Sequence, residues 1–418
     1  MDSTRGLLSS LRSLRERRKA RRRPTGLQFA FADSIDALRP DHWDAVCAGQ
    51  SLFLRREALR VVEESGPENL RPRYALAYDE GEPVAAVAAQ IVELTGDRLR
   101  AVKTNAGEGR MRLLKRALKP AAAASERMRQ RMLVAGNLMS WGFHGIAFRP
   151  GLDPSDLWPA IGEALYRIRR AARLEGQTQL VMVKDLTAAQ GSLDGLHRLS
   201  YRPLETEPNM VLEIDPDWRS YEDYLQALDA KYRRNARDQL KKLASAGCVL
   251  EPLVDLEPDA ARLHELYLAV HEKASVRLVT LPRDFLPELA KAAGRDFHCT
   301  VARQGGRIVG FVTHLRDGET AIAYYIGFDR ELAGQGVPLY LRLLHSTIDQ
   351  AIAWGCKRLS LGRTALEPKA AMGAKPEPMT AWMRHRVPAL NWVLRGLINT
   401  VDHEEAPERN PFKTTKPE

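Results

Sequence analysis

Two patterns of hydrophobic and polar positions alternate along the chain. Short runs rich in β-branched and aromatic residues are typical of strands, and stretches with apolar residues every three or four positions are typical of amphipathic helices. One such helix is predicted to begin near Lys231 and to stop at Gly247. Its apolar face is expected to contain Tyr232, Ala236, Leu240 and Leu243. The alternation predicts a mixed α/β or α+β fold.

Two parts of the sequence resemble each other in a way that indicates a duplication. Residues 74–87 align with residues 299–312 at a constant offset of 225, and each segment reads as strand, glycine turn and strand. Residues 164–182 align with residues 343–361 at an offset of 179, each as helix, glycine and strand. The 46-residue difference between the offsets predicts an insertion in the first copy.

The duplication divides the chain into segments. The first copy is predicted over residues 25–215, with the insertion at about 96–141, and the second copy over 216–398. A basic tail, 1–24, precedes them, and a C-terminal tail, 399–418, follows. The fold class expected is therefore two mixed-sheet α/β domains in tandem.

The charge of the chain is concentrated in two places. The 418 residues carry a net charge of +10, yet residues 1–24 alone hold nine Arg and Lys against two acidic residues, and residues 98–131 hold eleven against two. Within the second segment, residues 110–119 are predicted to form a basic amphipathic helix. Contact with an anionic membrane, contact with RNA or tRNA, and plain solubility all fit these segments.

Composition excludes several classes of protein. A hydrophobic content of 44% supplies sizeable cores, and no apolar run approaches the roughly 20 residues that a membrane span requires. The four cysteines lie far apart, without the spacing of a zinc site or a disulfide framework, so no metal is expected. A reducing, cytoplasmic location is expected, with residues 1–24 as the segment that would contact a membrane.

A glycine-rich turn is the first candidate for chemistry. Residues 325–340 read as a strand, a turn and the start of a helix predicted over 339–354. Backbone amides at Gly334, Gln335 and Gly336, with the helix N-terminus, would favour a bound phosphate. The pyrophosphate of coenzyme A or a nucleotide fits such a site, and an ordinary strand-to-helix turn is the alternative.

The next predicted strand ends in a second candidate. Arg363 and Thr364 follow its last residues, and Lys369 lies six positions beyond Arg363. Two cations and a hydroxyl therefore collect at the carboxyl end of a strand, where sites of α/β proteins form. A solvated strand end is the alternative interpretation.

Together these motifs resemble the FemAB-like branch of the GNAT acyltransferase fold, a family of tandem GNAT proteins. The resemblance rests on the Tyr-x-Gly at 325–327, on Tyr340, on Gly355, on the segment 231–237 and on the strand that ends in Gly-Arg-Thr, and it covers about residues 27–413. The turn departs from the GNAT pattern at Ala333 and Pro338, so that only Gly336 agrees with it.

The resemblance implies an enzyme that transfers an acyl group from acyl-CoA to an amine of a small molecule or peptide. One alternative is a FemAB-type aminoacyltransferase that uses aminoacyl-tRNA, and another is a non-catalytic scaffold that binds RNA or anionic lipid. The second copy is expected to be catalytic, because the first has Lys184 and Asp185 where the second has Arg363.

Roles follow for individual residues. By the resemblance, Lys369 lies at the transfer site, where its charge would stabilise an oxyanion, and Arg363 would orient an anionic substrate group. Tyr325 and Tyr340 are expected to hold or relay protons at the amine, with packed aromatic rings as the alternative. Arg233 and Arg237 line one helix face, either as phosphate contacts or as a solvated surface.

Overall fold

A computed structural model describes residues 23–94, 130–273, 277–387, 391, 407 and 409–413. Within them, thirteen strands form one mixed sheet flanked by eleven α-helices. The strands of the first half are β1 (Gln28–Ala32), β2 (Leu70–Asp79), β3 (Glu82–Leu94), β4 (Gln130–Ala135), β5 (Ile146–Phe148), β6 (Thr178–Leu186) and β7 (Arg202–Glu213). Those of the second half are β8 (Cys248–Pro252), β9 (Phe297–Gln304), β10 (Arg307–Asp317), β11 (Thr320–Phe328), β12 (Arg358–Ser360) and β13 (Lys375–His385).

The helices lie between these strands in the chain. The first half contains α1 (Pro40–Cys47), α2 (Arg56–Ser65), α3 (Pro154–Ala171) and α4 (Asp194–Arg198). The second half contains α5 (Tyr221–Ala227), α6 (Ala230–Ser245), α7 (Ala260–His271), α8 (Phe285–Ala293), α9 (Arg330–Gly334), α10 (Leu339–Ala353) and α11 (Leu366–Ala371). In the part of the chain that the structure describes, no helix is long and apolar enough to cross a bilayer.

The strand order confirms the duplication. It runs β1-β2-β3-β4-β6-β13-β7-β12-β11-β10-β9-β8, with β5 beside β3. Each half has an antiparallel hairpin, which is β2–β3 in the first half and β9–β10 in the second. Each half also has a strand that follows a helix and pairs in parallel with an earlier strand. In the first half β6 follows α3 and pairs with β4, and in the second β12 follows α10 and pairs with β11. The two halves are therefore two copies of one mixed-sheet unit, and they lie side by side in one sheet.

The copies are joined by an exchange of strands. β7, from the first predicted copy, pairs with β12 of the second, whereas β13 of the second pairs with β6 of the first. β7 and β13 also pair with each other at the centre. Any site at the carboxyl ends of β6 and β12 therefore draws residues from both halves of the chain.

The predicted insertion ends earlier than the sequence indicates. It was expected to extend to about residue 141, but residues 130–135 already form β4 in the sheet. Arg131 is buried, and its guanidinium lies 3.2 Å from Glu175 and 3.5 Å from Glu93. It therefore belongs to the core and not to the basic surface. Residues 1–22 and 95–129, which hold most of both basic segments and the predicted helix 110–119, lie outside the described residues.

Helix α6 begins and ends close to the predicted positions, but one residue of its predicted apolar face is wrong. Ala236 and Leu243 are buried as expected, whereas Leu240 is 37% exposed. Gln239 takes the buried position instead. Near the C-terminus, Phe412 packs on Trp218 with ring centroids 5.7 Å apart, so the described end of the chain covers the second half.

Candidate active site

The strands β11 and β12 form a fork. They pair in parallel only from Thr320 and Arg358 to Ile322 and Ser360. Past Ser360 the chain follows β7 instead, since the Leu361 amide donates to the Met210 carbonyl at 2.8 Å. Beyond Ile322 the edge of β11 is therefore not paired with β12, and we call this divergence of the two strands the fork.

The first half has no equivalent opening among its described strands. There β4 and β6 pair through to Ala135 and Val183. The aliphatic part of Lys184 then lies over Gly136, where a Cβ atom would be 2.4 Å from Lys184 Cγ. The two copies thus differ at the position where a ligand would enter between parallel strands.

A β-bulge shapes the wall of the fork. The register between β10 and β11 shifts between the pairs Val312–Ile326 and His314–Ala323, so Tyr324 and Tyr325 together lie opposite Thr313. The Tyr325 amide donates to Thr313 Oγ1 at 3.0 Å. Bulges of this kind redirect side chains and are common beside active sites.

The hydroxyls of the two tyrosines differ. Tyr325 Oη donates to the Met139 carbonyl at 3.1 Å, and burial raises the pKa of Tyr325 well above its usual value. This hydroxyl, predicted from the sequence to handle protons, is engaged by the first half. Tyr324 is 3% exposed, and its hydroxyl has no hydrogen-bond partner among the described residues.

A loop of the first half reaches into the fork. Trp141 Nε1 donates to Ser360 Oγ at 2.8 Å, at the last paired position of β12. Gly362 has a φ of +80°, and a Cβ atom there would lie 3.1 Å from the Trp141 ring. The glycine is thus required both by its backbone conformation and by the indole.

Arg363 is held by a carboxylate. Its Nη2 donates to Asp185 Oδ1, at the end of β6 in the first half. Burial lowers the pKa of Arg363 to about 10. The Nη2 group that a bidentate contact with a substrate would use is therefore already engaged by Asp185.

Asp185 also holds Lys184. Lys184 Nζ lies 2.5 Å from Asp185 Oδ2, 2.8 Å from the Ser140 carbonyl and 3.0 Å from the Asn137 carbonyl. Burial and Arg363 lower the pKa of Lys184, but three acceptors favour its charged form, because only an ammonium group can donate to all of them. One buried carboxylate therefore bridges two cations from the two halves.

Lys369 is the most unusual of the predicted residues. It lies on α11, the helix that follows the loop after β12, and it is 3% exposed. Burial lowers the pKa of Lys369 to about 7, against a smaller opposing effect of Glu207. Burying an amine in this way is costly, and a pKa shifted so far by burial points to a functional use.

The glycine-rich turn is more closed than the sequence suggests. Gly334 ends α9, and the Gln335 amide donates to the carbonyl of Glu331. The amides of Gly336 and Val337 likewise donate to carbonyls of the same turn, at 3.0 and 3.4 Å. These amides therefore do not form the predicted anion site in this conformation, because the turn itself satisfies them.

The remaining predicted residues are not brought together with Lys369 by any described contact. Arg233 Nη1 donates to the Leu228 carbonyl at 2.8 Å, and Arg237 pairs with Glu222 at 2.5 Å, so both arginines hold α5. Tyr340 packs on Phe328, and burial raises its pKa to about 12. Thr364 is exposed.

Sequence reasoning missed the contribution of the first half. The sequence marks Lys184 and Asp185 only as a difference between the copies, and Trp141 is not among the candidates that it provides. The one available signal was a Lys-Asp pair directly after a buried apolar strand, which is unusual unless the two charges have partners.

Comparison with known proteins agrees with this geometry. Residues 230–370, which contain both strands of the fork, match the model of the acetyltransferase (GNAT) domain family. The solved structure of FemX is similar over 88% of this chain and 99% of its own, at 10% identity and a TM-score of 0.51. A tandem GNAT protein from the clavulanic acid biosynthesis pathway is similar over 87% of this chain and 99% of its own, at 13% identity and a TM-score of 0.48. No curated protein matches the sequence.

Residues 230–370 are therefore a GNAT acetyltransferase domain, and the chain is a transferase enzyme. The chain as a whole has a tandem GNAT fold similar to that of FemX.

Proposed function

We propose that this protein transfers an acyl group from acyl-CoA to an amine of a small molecule or peptide, and that the reaction takes place in the second half. The observation that carries the proposal is the fork between β11 and β12 within the matched GNAT region. Backbone groups on the edge of β11 beyond Ile322 are positioned to pair with the amides of a pantetheine arm inserted there. The first half, where β4 and β6 stay paired, lacks this opening in its described part.

We assign the phosphate contacts to helix α10. Because the amides of the turn are satisfied internally, the amides of Tyr340 and Leu341 in the first turn of α10 are the ones expected to contact the pyrophosphate. The Arg342 amide is the first to bond within the helix, to the Pro338 carbonyl at 3.0 Å.

Lys369 acts as the general base in this proposal. A base works best when its pKa is near the working pH, and burial brings the pKa of Lys369 to about 7. The neutral amine of Lys369 takes a proton from the attacking nitrogen as the new C–N bond forms. The tetrahedral intermediate then expels the thiolate of CoA, and the resulting Lys369 ammonium returns its proton to solvent.

The donor is tested by binding and turnover on the full chain. A thermal shift with acetyl-CoA, a longer acyl-CoA and aminoacyl-tRNA reports which of them the folded state binds. Release of CoA thiol in the presence of amines then reports turnover. The four cysteines are all buried, so the protein's own thiols add little to a thiol-reagent assay.

We expect stabilisation by acyl-CoA and thiol release that depends on the amine. Lys369→Ala is the matched control, expected to bind acyl-CoA but not to release thiol. Stabilisation by aminoacyl-tRNA alone would contradict the choice of donor. A biological activity that survives in Lys369→Ala, with no response to either donor, would favour a scaffold.

A further inference from the structure

Tyr324, on the part of β11 that borders the fork, has a buried hydroxyl without a partner among the described residues. Tyr324 Oη is enclosed, and no donor or acceptor among the described residues bonds to it. Leaving a buried hydroxyl unpaired costs free energy, and native structures seldom do so without a use for the group. This hydroxyl is therefore a candidate for contact with a ligand.

Its position is set by the bulge opposite Thr313. In a regular strand Tyr324 and Tyr325 would point to opposite faces, but the bulge lets their rings meet with centroids 4.6 Å apart. Tyr324 follows Ile322, the last paired residue of β11, by two positions. Tyr324 thus belongs to the part of β11 that borders the fork.

Aromatic rings from the first half hold Tyr324 in place. Its ring centroid lies 5.7 Å from that of Phe53 and 6.2 Å from that of Trp141. Trp141 is itself fixed to Ser360 on the opposite strand of the fork. The surroundings are therefore largely aromatic, and among these described side chains Tyr324 Oη is a donor that remains unpaired. A donor in such surroundings stabilises developing charge strongly.

We propose that Tyr324 Oη donates a hydrogen bond to the carbonyl oxygen of the acyl donor and stabilises the oxyanion of the tetrahedral intermediate. This inference rests on the proposed acyl transfer. As the amine attacks the carbonyl carbon, the π electrons move to the oxygen, which Tyr324 binds while it keeps its own proton. When the intermediate collapses, the carbonyl re-forms and the donor's leaving group departs.

The chemistry of the hydroxyl fits this role. Burial, with a smaller effect of Tyr267, raises the pKa of Tyr324 above its usual value. The phenol therefore remains protonated across the range of pH in which an amine is acylated, so it acts as a donor and not as a base.

The test is Tyr324→Phe, which removes only the hydroxyl. We expect kcat to fall by roughly 10²–10³-fold, the loss typical for one oxyanion donor, with the KM for the acyl donor and the affinity for free CoA nearly unchanged. Free CoA has no acyl carbonyl and would not contact Tyr324. The melting temperature should stay the same or rise, since no native hydrogen bond is lost.

Tyr78→Phe is the control. It also removes one tyrosine hydroxyl, but that hydroxyl belongs to β2 in the first half and hydrogen-bonds to His42 Nδ1 at 3.1 Å. We expect a lower melting temperature with a kcat close to that of the unsubstituted protein.

The outcomes separate this inference from the proposed function. A protein that transfers acyl groups, with Tyr324→Phe within about threefold of its kcat, would overturn the role of Tyr324 alone. Transfer from aminoacyl-tRNA would leave the inference in place, since the ester carbonyl needs the same donor, and the same loss of kcat is then expected. A protein that transfers nothing from either donor would overturn both.

Discussion

Replacing Lys369 with arginine is expected to lower kcat by ~10²–10⁴-fold, the usual contribution of a general base. Arginine keeps the positive charge but cannot be deprotonated in a protein, so it cannot accept the amine proton. In the unsubstituted protein, kcat/KM should rise with pH through about 7, because only the neutral amine is active and it predominates above the pKa of Lys369. The pH profiles of the two proteins, measured at saturating acyl-CoA, check this.

A kcat/KM that falls as the pH rises would instead support the role predicted from the sequence, in which Lys369 acts as a cation. If the charge of Lys369 stabilises the oxyanion, activity should fall above pH 7, and Lys369→Arg should retain much of it. The pH profiles of Lys369→Arg and Lys369→Met therefore decide whether Lys369 acts as a neutral base or as a cation that stabilises the oxyanion.

Lys369→Met controls for folding. Since the pKa is about 7 in the folded state and near 10.5 when the chain is unfolded, the unfolded state binds more protons between these values. Stability of the unsubstituted protein therefore rises with pH in this window, and at pH 7 the buried amine costs stability. We expect Lys369→Met to raise the melting temperature more at pH 7 than at pH 10.

Asp185→Ala is expected to lower the free energy of unfolding by about 3–5 kcal/mol, the typical cost of removing one partner from a buried ion pair. Asp185 is 1% exposed and bridges Arg363 and Lys184, so its loss leaves two cations without their counter-charge at the junction of the halves. Urea unfolding followed by tryptophan fluorescence measures the change.

Asp36 provides the matched surface control. Its carboxylate also pairs with two arginines, Arg56 and Arg60, but its side chain is 53% exposed. Water screens such pairs, so Asp36→Ala should scarcely move the unfolding midpoint. An equally small effect of Asp185→Ala would mean that the junction does not depend on the buried bridge.

The sequence predicts the local elements of this fold well, but it predicts poorly how the two halves are joined. The repeated hairpins and helices are visible because each is built from neighbouring residues with a regular period. The exchange of β7 and β13 is not visible, because it pairs residues far apart in the chain, such as Val211 and Lys375, and their local patterns are those of any strand.

The candidate site, too, is predictable from the sequence only in part. The cluster of charges after β12 was predicted from the sequence, and the burial of Lys369 gives it chemical meaning. The partner of Arg363 was not predictable, because Asp185 is 178 residues away in the chain. The turn at 334–336 has the composition of an anion site, but composition does not tell where its amides point.

A single structure tests the central claim most directly: a crystal structure of the full chain with a non-hydrolysable thioether analogue of acyl-CoA that keeps a carbonyl group. We expect the pantetheine arm between β11 and β12, the pyrophosphate at the start of α10 and the carbonyl oxygen within hydrogen-bond distance of Tyr324 Oη. An analogue bound between β4 and β6 of the first half, with the fork closed, would contradict the account.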